Sequence, residues 1–298
     1  MKKRMLLILP LLMFFLIMAV RIRLSQNKPV FDDETVSVDA ANPSLPSPGS
    51  NACIDDLQLE LIWVDQGVFK MGSREGEEDE KPAQLIYISS GYWLGKTEVT
   101  QKQWHEVIKN NPSHFQGEDL PVESVSWFDC IEFCKALTMR EREAGRLPED
   151  YVYRLPTEAE WEFAAKGGNK SRRYKFAGAD KLHKVGWYSM ISMDRTRLVG
   201  TKEPNELGLH DMNGNVCEWC YDKYGAYSFR IQTDPKGSDS GSDRVYRGGS
   251  WKDGGLSYKT EPIIWPEEEY RLGRRSGWLP LRKRNDIGMR VALAPALE

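Results

Sequence analysis

Gly208-Leu-His-Asp-Met-Asn-Gly-Asn-Val-Cys-Glu-Trp-Cys220 decides how this chain reads. Its centre carries the turn signal Asn213-Gly214, since Asn and Gly accept the backbone conformations that tight turns demand. Asn205-Glu-Leu-Gly208 before it and Gly248-Gly249 after it repeat the theme, interrupting brief apolar runs. Irregular backbone of this extent needs something to hold it, and Trp packing or a bound metal ion would serve. The chain has 10 Trp and 25 Gly in 298 residues.

Upstream the signals are more regular. Leu59 to Met71 alternates apolar and polar residues and ends in a turn at Gly72, the pattern of a strand, and Gln84-Leu-Ile-Tyr-Ile88 reads as a second. Between them lies the acidic loop Glu75 to Lys81, read as a solvated connection because nothing fixes a metal geometry there. Tyr92-Trp-Leu-Gly-Lys-Thr-Glu-Val-Thr-Gln101 leads into a helix, with Thr100 as N-cap and Gln103 completing a capping box. The clearest helix follows Arg154-Leu-Pro-Thr157: Thr157 and Glu160 form a second capping box, and Gly167 closes the C-terminus in the left-handed region. Cys130 and Cys134, four apart in the amphipathic run Ser126 to Leu137, share a helix face and are read as small buried hydrophobes.

The N-terminus carries Lys2, Lys3 and Arg4, an apolar run from Met5 to Val20, then Arg21 and Arg23. This is the layout of an export signal. No small-x-small cleavage site follows, so residues 1–23 read as an uncleaved anchor, with a cleaved signal peptide as the alternative; the basic flanks put the remainder outside the cytoplasm. Residues 24–56, with Asn42-Pro-Ser-Leu-Pro-Ser-Pro-Gly-Ser50, read as a flexible linker. A single domain then occupies 57–298 and is expected to be periplasmic or at the cell surface. A net charge of -3 excludes a dedicated nucleic-acid binder; the one basic cluster, Arg271 to Arg284, reads as a loop.

Taken together, Phe69-Lys-Met-Gly-Ser73, Trp93-Leu-Gly-Lys-Thr-Glu-Val-Thr100, Pro121-Val-Glu-Ser-Val-Ser-Trp127, Arg154-Leu-Pro-Thr-Glu-Ala-Glu-Trp-Glu162, the opening stretch, Arg247-Gly-Gly-Ser-Trp251 and Gly288-Met-Arg-Val291 resemble, in this order, the formylglycine-generating enzyme (sulfatase-modifying factor) family. The resemblance runs from Leu57 to about Leu293. It implies an α+β fold, C-type-lectin-like, with little regular secondary structure. It also implies calcium, held by the side chains of Asp211 and Glu218 and the carbonyls of Gly214 and Val216; oxygen ligands from a Gly/Asn turn suit that ion.

The family's oxidase converts a substrate cysteine in sulfatases to formylglycine, using copper held by two cysteines between the motifs matching Arg247–Trp251 and Gly288–Val291. Paired thiolates select Cu(I) because both partners are soft. Here Lys252 to Gly288 contains no cysteine, and none follows Cys220. The resemblance also implies, for some members, a disulfide from the Cys134 position to that of Val291, which this chain lacks. Cys217 stands where many members have Trp, creating Cys217-Glu-Trp-Cys220. That pair reads as packed thiols, a disulfide, a redox pair or part of a relocated metal site, and Cys217 and Cys220 are the candidate catalytic residues. His105, His114, His183 and His210 show no metal-binding spacing, and Gly237-Ser-Asp-Ser-Gly241 lies in a polar loop, not on a nucleophile turn.

The expected function is therefore a membrane-tethered binding or structural module that keeps the scaffold without the two-cysteine copper site, with Trp265, Trp278, Arg274 and Arg275 as its recognition surface and another protein (a sulfatase or an envelope component) or a glycan as partner. The alternatives are a formylglycine-generating oxidase with non-standard ligands, or an accessory to one.

Overall fold

The computed structural model describes residues 45–254 and 266–297. The expected anchor, most of the linker and Trp265 lie outside the described residues. Among the described residues no helix is long and apolar enough to cross a membrane.

Among the described residues, twelve short strands form three sheets. In chain order they are β1 (Ala52–Ile54), β2 (Leu59–Val64), β3 (Gly67–Met71), β4 (Gln84–Ile88), β5 (Tyr92–Gly95), β6 (Tyr151–Arg154), β7 (Cys217–Lys223), β8 (Gln232–Thr233), β9 (Arg244–Arg247), β10 (Arg275–Trp278), β11 (Ile287–Gly288) and β12 (Ala292–Pro295). The five-stranded sheet runs β1-β2-β5-β12-β6, the four-stranded sheet β10-β9-β7-β11 and the three-stranded sheet β3-β4-β8. Three helices matter for the core: α1 (Gln101–Ile108), α2 (Trp127–Glu143) and α3 (Glu158–Ala165). This is the expected α+β fold, low in regular structure.

The sheet begins ahead of the expected boundary at Leu57. Gln58 adopts a positive φ and Leu57 N–H donates to the Ile54 carbonyl at 3.0 Å, which closes a hairpin and pairs Ala52 with Leu61. Strand β5 is a second difference from the sequence reading, which took its residues only as a lead into α1. All four residues are buried, Trp93 in one core and Tyr92 and Leu94 in another. A strand covered on both faces has no polar alternation to reveal it.

The capping boxes form as read. Thr100 Oγ1 accepts from Gln103 N–H at 3.2 Å while Gln103 Oε1 accepts from Thr100 N–H at 2.9 Å. At α3 the same exchange joins Thr157 and Glu160, and Gly167 ends the helix at φ 87°. Cys130 and Cys134 are buried on α2. Every residue of α3 is buried, because the helix packs against β3, β4, β7 and β9.

That burial forces its acids to find partners. Arg275 holds Glu158 through Nε at 2.7 Å and Nη2 at 2.8 Å, Arg247 pairs with Glu162, and Arg154 takes both oxygens of Glu160 at 2.7 Å. A buried acid without such a partner would lose several kcal/mol or take up a proton. Arg275, expected on a recognition surface, is thus a buried counter-ion: its strand position points inward, where Glu158 needs it.

Candidate functional site

The Gly208–Cys220 stretch enters the core as a turn and leaves it as β7. Asp211 and Asn215 adopt positive φ, and Gly214 sits at φ 108° with Trp187 so close that a Cβ would lie 2.2 Å from its carbonyl oxygen. Only glycine fits there. The two asparagines brace the turn from either side. Asn213 accepts from Ala177 N–H at 2.6 Å and donates to the Tyr270 carbonyl at 2.8 Å, while Asn215 accepts from Arg197 N–H at 2.9 Å and donates to the same residue's carbonyl at 3.1 Å.

This frame holds Asp211 and Glu218 beside two residues that the sequence reading did not single out. Arg290 grips Glu218 by Nε at 3.0 and 3.1 Å and by Nη2 at 2.7 Å, and spends its remaining donors on the carbonyls of Gly95 and His210. Trp161 Nε1 adds a third donor to Glu218 at 2.6 Å. Asp211 Oδ2 accepts from Gly200 N–H at 2.6 Å, but Oδ1 is buried without a partner. Glu98 is wholly buried, and neither of its carboxylate oxygens has a partner.

The electrostatics follow from that inventory. Burial pushes the Glu98 carboxyl well above the usual range, and Asp211 adds to the rise; Arg290 opposes it. Asp211 is raised as well, by burial, against the pull of Gly200 N–H and Arg290. Glu218 adds to the rise at both Glu98 and Asp211, and Arg290 is the buried guanidinium set against them, with His210 and half-buried Lys202 acting on Asp211 from its side. Buried acids with three unpartnered oxygens are a donor set that a divalent cation neutralises, and hard carboxylate oxygens suit calcium. Among the described residues, no three His, Cys, Asp or Glu side chains converge at coordinating distance, and Glu218 already serves Arg290 and Trp161. Glu98 and Asp211 are therefore the two with oxygens to give. A lone Arg inside the apolar run Ile287-Gly-Met-Arg-Val-Ala-Leu293 was the signal for Arg290, since a charge within an apolar run marks a buried pair, whereas Glu98, between Thr97 and Val99 with Lys96 and Thr100 beyond, carried no such signal.

Cys217 and Cys220 do not come together. Successive side chains on a strand alternate, so a spacing of three sets them on opposite faces of β7, Cys217 in the core with α2 and Cys220 in the core with α3. Both are free, buried thiols. Burial and then Asp253 push Cys217 up; burial and then Asp222 and Glu158 push Cys220 up. The readings of this pair as a disulfide or a redox couple are thereby corrected to packed thiols. Nor do they fit copper as paired ligands, because the two sulfurs sit in different cores, and the Cys217 thiol donates to the carboxylate of Asp253 at 3.9 Å, which also accepts from Ser250 Oγ at 2.7 Å. Native-state titration with a thiol reagent should modify Cys53, the one exposed cysteine, within minutes and the other four only on unfolding; rapid labelling of Cys217 would show an open site that this packing denies.

Of the expected recognition residues, Arg274 is half-buried and pairs with Glu269 at 3.4 Å. Trp278 is half-buried at the end of edge strand β10, with the Arg284 guanidinium 4.5 Å from its ring. Phe128, Leu279 and Leu281 are large exposed side chains near it in sequence or on the adjoining helix start.

Known proteins resemble this chain in sequence and fold. The chaperone protein LppX of Paenibacillus barcinonensis is 32% identical over 262 residues, covering 74% of this chain and 86% of that one. The formylglycine-generating enzyme of Streptomyces coelicolor is 35% identical over 201 residues, 62% of this chain, which spans about half (54%) of that enzyme. Among solved structures, Treponema denticola variable protein 1 superposes with a TM-score of 0.69 at 30% identity, covering 83% of this chain and 99% of that one. The sulfatase-modifying factor enzyme 1-like domain matches residues 55–295, from just after β1 to the end of β12, and the chain belongs to that family.

Proposed function

We propose that this protein is an extracytoplasmic, calcium-stabilised binding module of its family that has relinquished thiolate-copper oxidation. The observation that carries the reading is the state of the thiols: no cysteine between Lys252 and Gly288, and Cys217 and Cys220 buried on opposite faces of one strand. Soft-metal chemistry at two sulfurs has no pair to work with. Fold alone confers no activity.

Calcium in this reading is held by Glu98 and Asp211 with the carbonyls of Gly214 and Val216, while Glu218 stays with Arg290 and Trp161. The ion supplies charge compensation and crosslinks the turn before β7 to the segment after β5. The partner is another protein. Its support is the likeness to a relative named a chaperone, over 86% of that relative's length, and the surface where Trp278, Leu279 and Leu281 offer apolar side chains beside Arg284. Aromatic and Arg side chains are the usual anchors of such surfaces. Diluting a chemically unfolded secreted enzyme into buffer with an equimolar amount of the domain should lower its light scattering, and Trp278→Ala with Leu281→Ser should restore it. Unchanged scattering with the unaltered domain would remove the protein-holding part of the proposal.

A further inference from the structure

The three-stranded sheet turns one face to the core and leaves the other bare. Met71, Ile86 and Ile88 pack inward with α3. On the opposite face Val68 pairs with Tyr87, and Tyr87 with Thr233, in one row across β3, β4 and β8. Val68 is 47% exposed and Tyr87 41%. The loop entering β8, two residues ahead of Thr233, carries Ile231 at 65% exposure and before it Phe229 at 91%. A phenyl ring so exposed gains nothing from the rest of the chain, and a soluble loop has no reason to carry it next to an exposed isoleucine.

The character of the patch indicates what covers it. Together these four side chains expose roughly 400–500 Å² of largely apolar surface, well short of the ~800 Å² per partner that a stable protein interface takes. A bilayer asks for no such area, because each apolar tip gains separately by entering the acyl boundary. The charges agree. Exposed Arg230 stands between Phe229 and Ile231, and exposed Lys70 lies on β3 opposite Leu85. The acid that could oppose them, Asp234, is turned to Ser89, whose N–H donates to it at 2.9 Å and whose hydroxyl donates at 2.5 Å. Apolar tips alternating with cations, and a Tyr beside them, match the interfacial zone of an anionic membrane.

We propose that the face formed by Val68, Tyr87, Phe229 and Ile231, with Lys70 and Arg230, docks the folded domain onto an anionic lipid surface by shallow insertion of Phe229 and Ile231. It is a contact separate from the N-terminal apolar run, and it would hold the domain against the bilayer instead of leaving it free at the end of a tether.

The test uses Ala41–Glu298, which forms a compact unit with its own cores, so that residues 1–40 play no part. Co-flotation with phosphatidylcholine vesicles containing phosphatidylglycerol should carry the domain upward. Phe229→Ser with Ile231→Ser should reduce the bound fraction about tenfold or more while leaving the melting temperature unchanged, since neither side chain is packed. Arg230→Glu should weaken binding to these vesicles and make no difference with phosphatidylcholine alone. Absence of flotation, equal flotation of the double variant, or a patch that instead holds two copies together in sedimentation would overturn the proposal.

Discussion

Arg290→Leu destabilises the domain by about 3–5 kcal/mol, a fall in melting temperature of roughly 10 °C or more for a chain of this size. The reason lies in what is left behind. Removing the guanidinium deprives Glu218 of three hydrogen bonds and leaves the carbonyls of Gly95 and His210 without their donors. It also removes the buried guanidinium that opposes the rise at both Glu98 and Asp211. A buried pair broken on one side costs more than the pair was worth, because a charge remains in a medium that cannot solvate it. Thermal melts of Arg290→Leu and of Arg290→Leu with Glu218→Leu check this; the double variant should recover part of the loss. Equal loss in both would place the cost in packing and not in charge.

Calcium should raise the melting temperature by roughly 5–10 °C when present at a hundredfold over its dissociation constant, and the effect should depend on pH with a definite sign. Glu98 and Asp211 have folded-state pKa values above their unfolded ones. The folded protein therefore holds protons that the unfolded chain releases. Their contribution to stability is complete below the ordinary carboxylate pKa near 4 and is lost as pH rises through the elevated folded values. In chelator, the contribution of these two acids thus falls from acid toward neutral pH, with buried Asp222 acting in the same direction and the lowered carboxyls of Glu162 and Asp129 in the opposite one. Calcium opposes the part due to Glu98 and Asp211 by stabilising their ionised forms. Glu98→Gln removes a buried acid, so it should flatten the fall in chelator and abolish most of the calcium shift. Melts that are identical with calcium and with chelator in the unaltered protein would contradict the assignment.

What could be read in advance divides along physical lines. The helix starts at Thr100 and Thr157 were legible because a cap is a local device: the residue and its partner lie three apart. The burial of Cys130 and Cys134 followed from helical spacing. Strand β5 was hidden because burial on both faces erases alternation, and β1 because three residues carry no period. The site was legible in half. Gly214 and Asp211 announced a turn, but Glu98 and Arg290 reach it from distant parts of the chain, and the sequence does not state which loops meet. The same limit applies to Arg275, whose partner Glu158 lies 117 residues away, and to Cys217 and Cys220, where proximity in sequence pointed to a pair that strand geometry separates.

The account turns on the loss of the two-thiolate oxidase, and turnover tests it most directly. The domain from Ala41, supplied with Cu(I), calcium and oxygen, is incubated with a Cys-x-Pro-x-Arg peptide and the peptide is weighed by mass spectrometry, beside an active formylglycine-generating enzyme. The prediction is an unmodified peptide from this protein and aldehyde from the active enzyme. Aldehyde formed by this protein, and lost in Cys217→Ser, would contradict the account and make Cys217 a ligand after all.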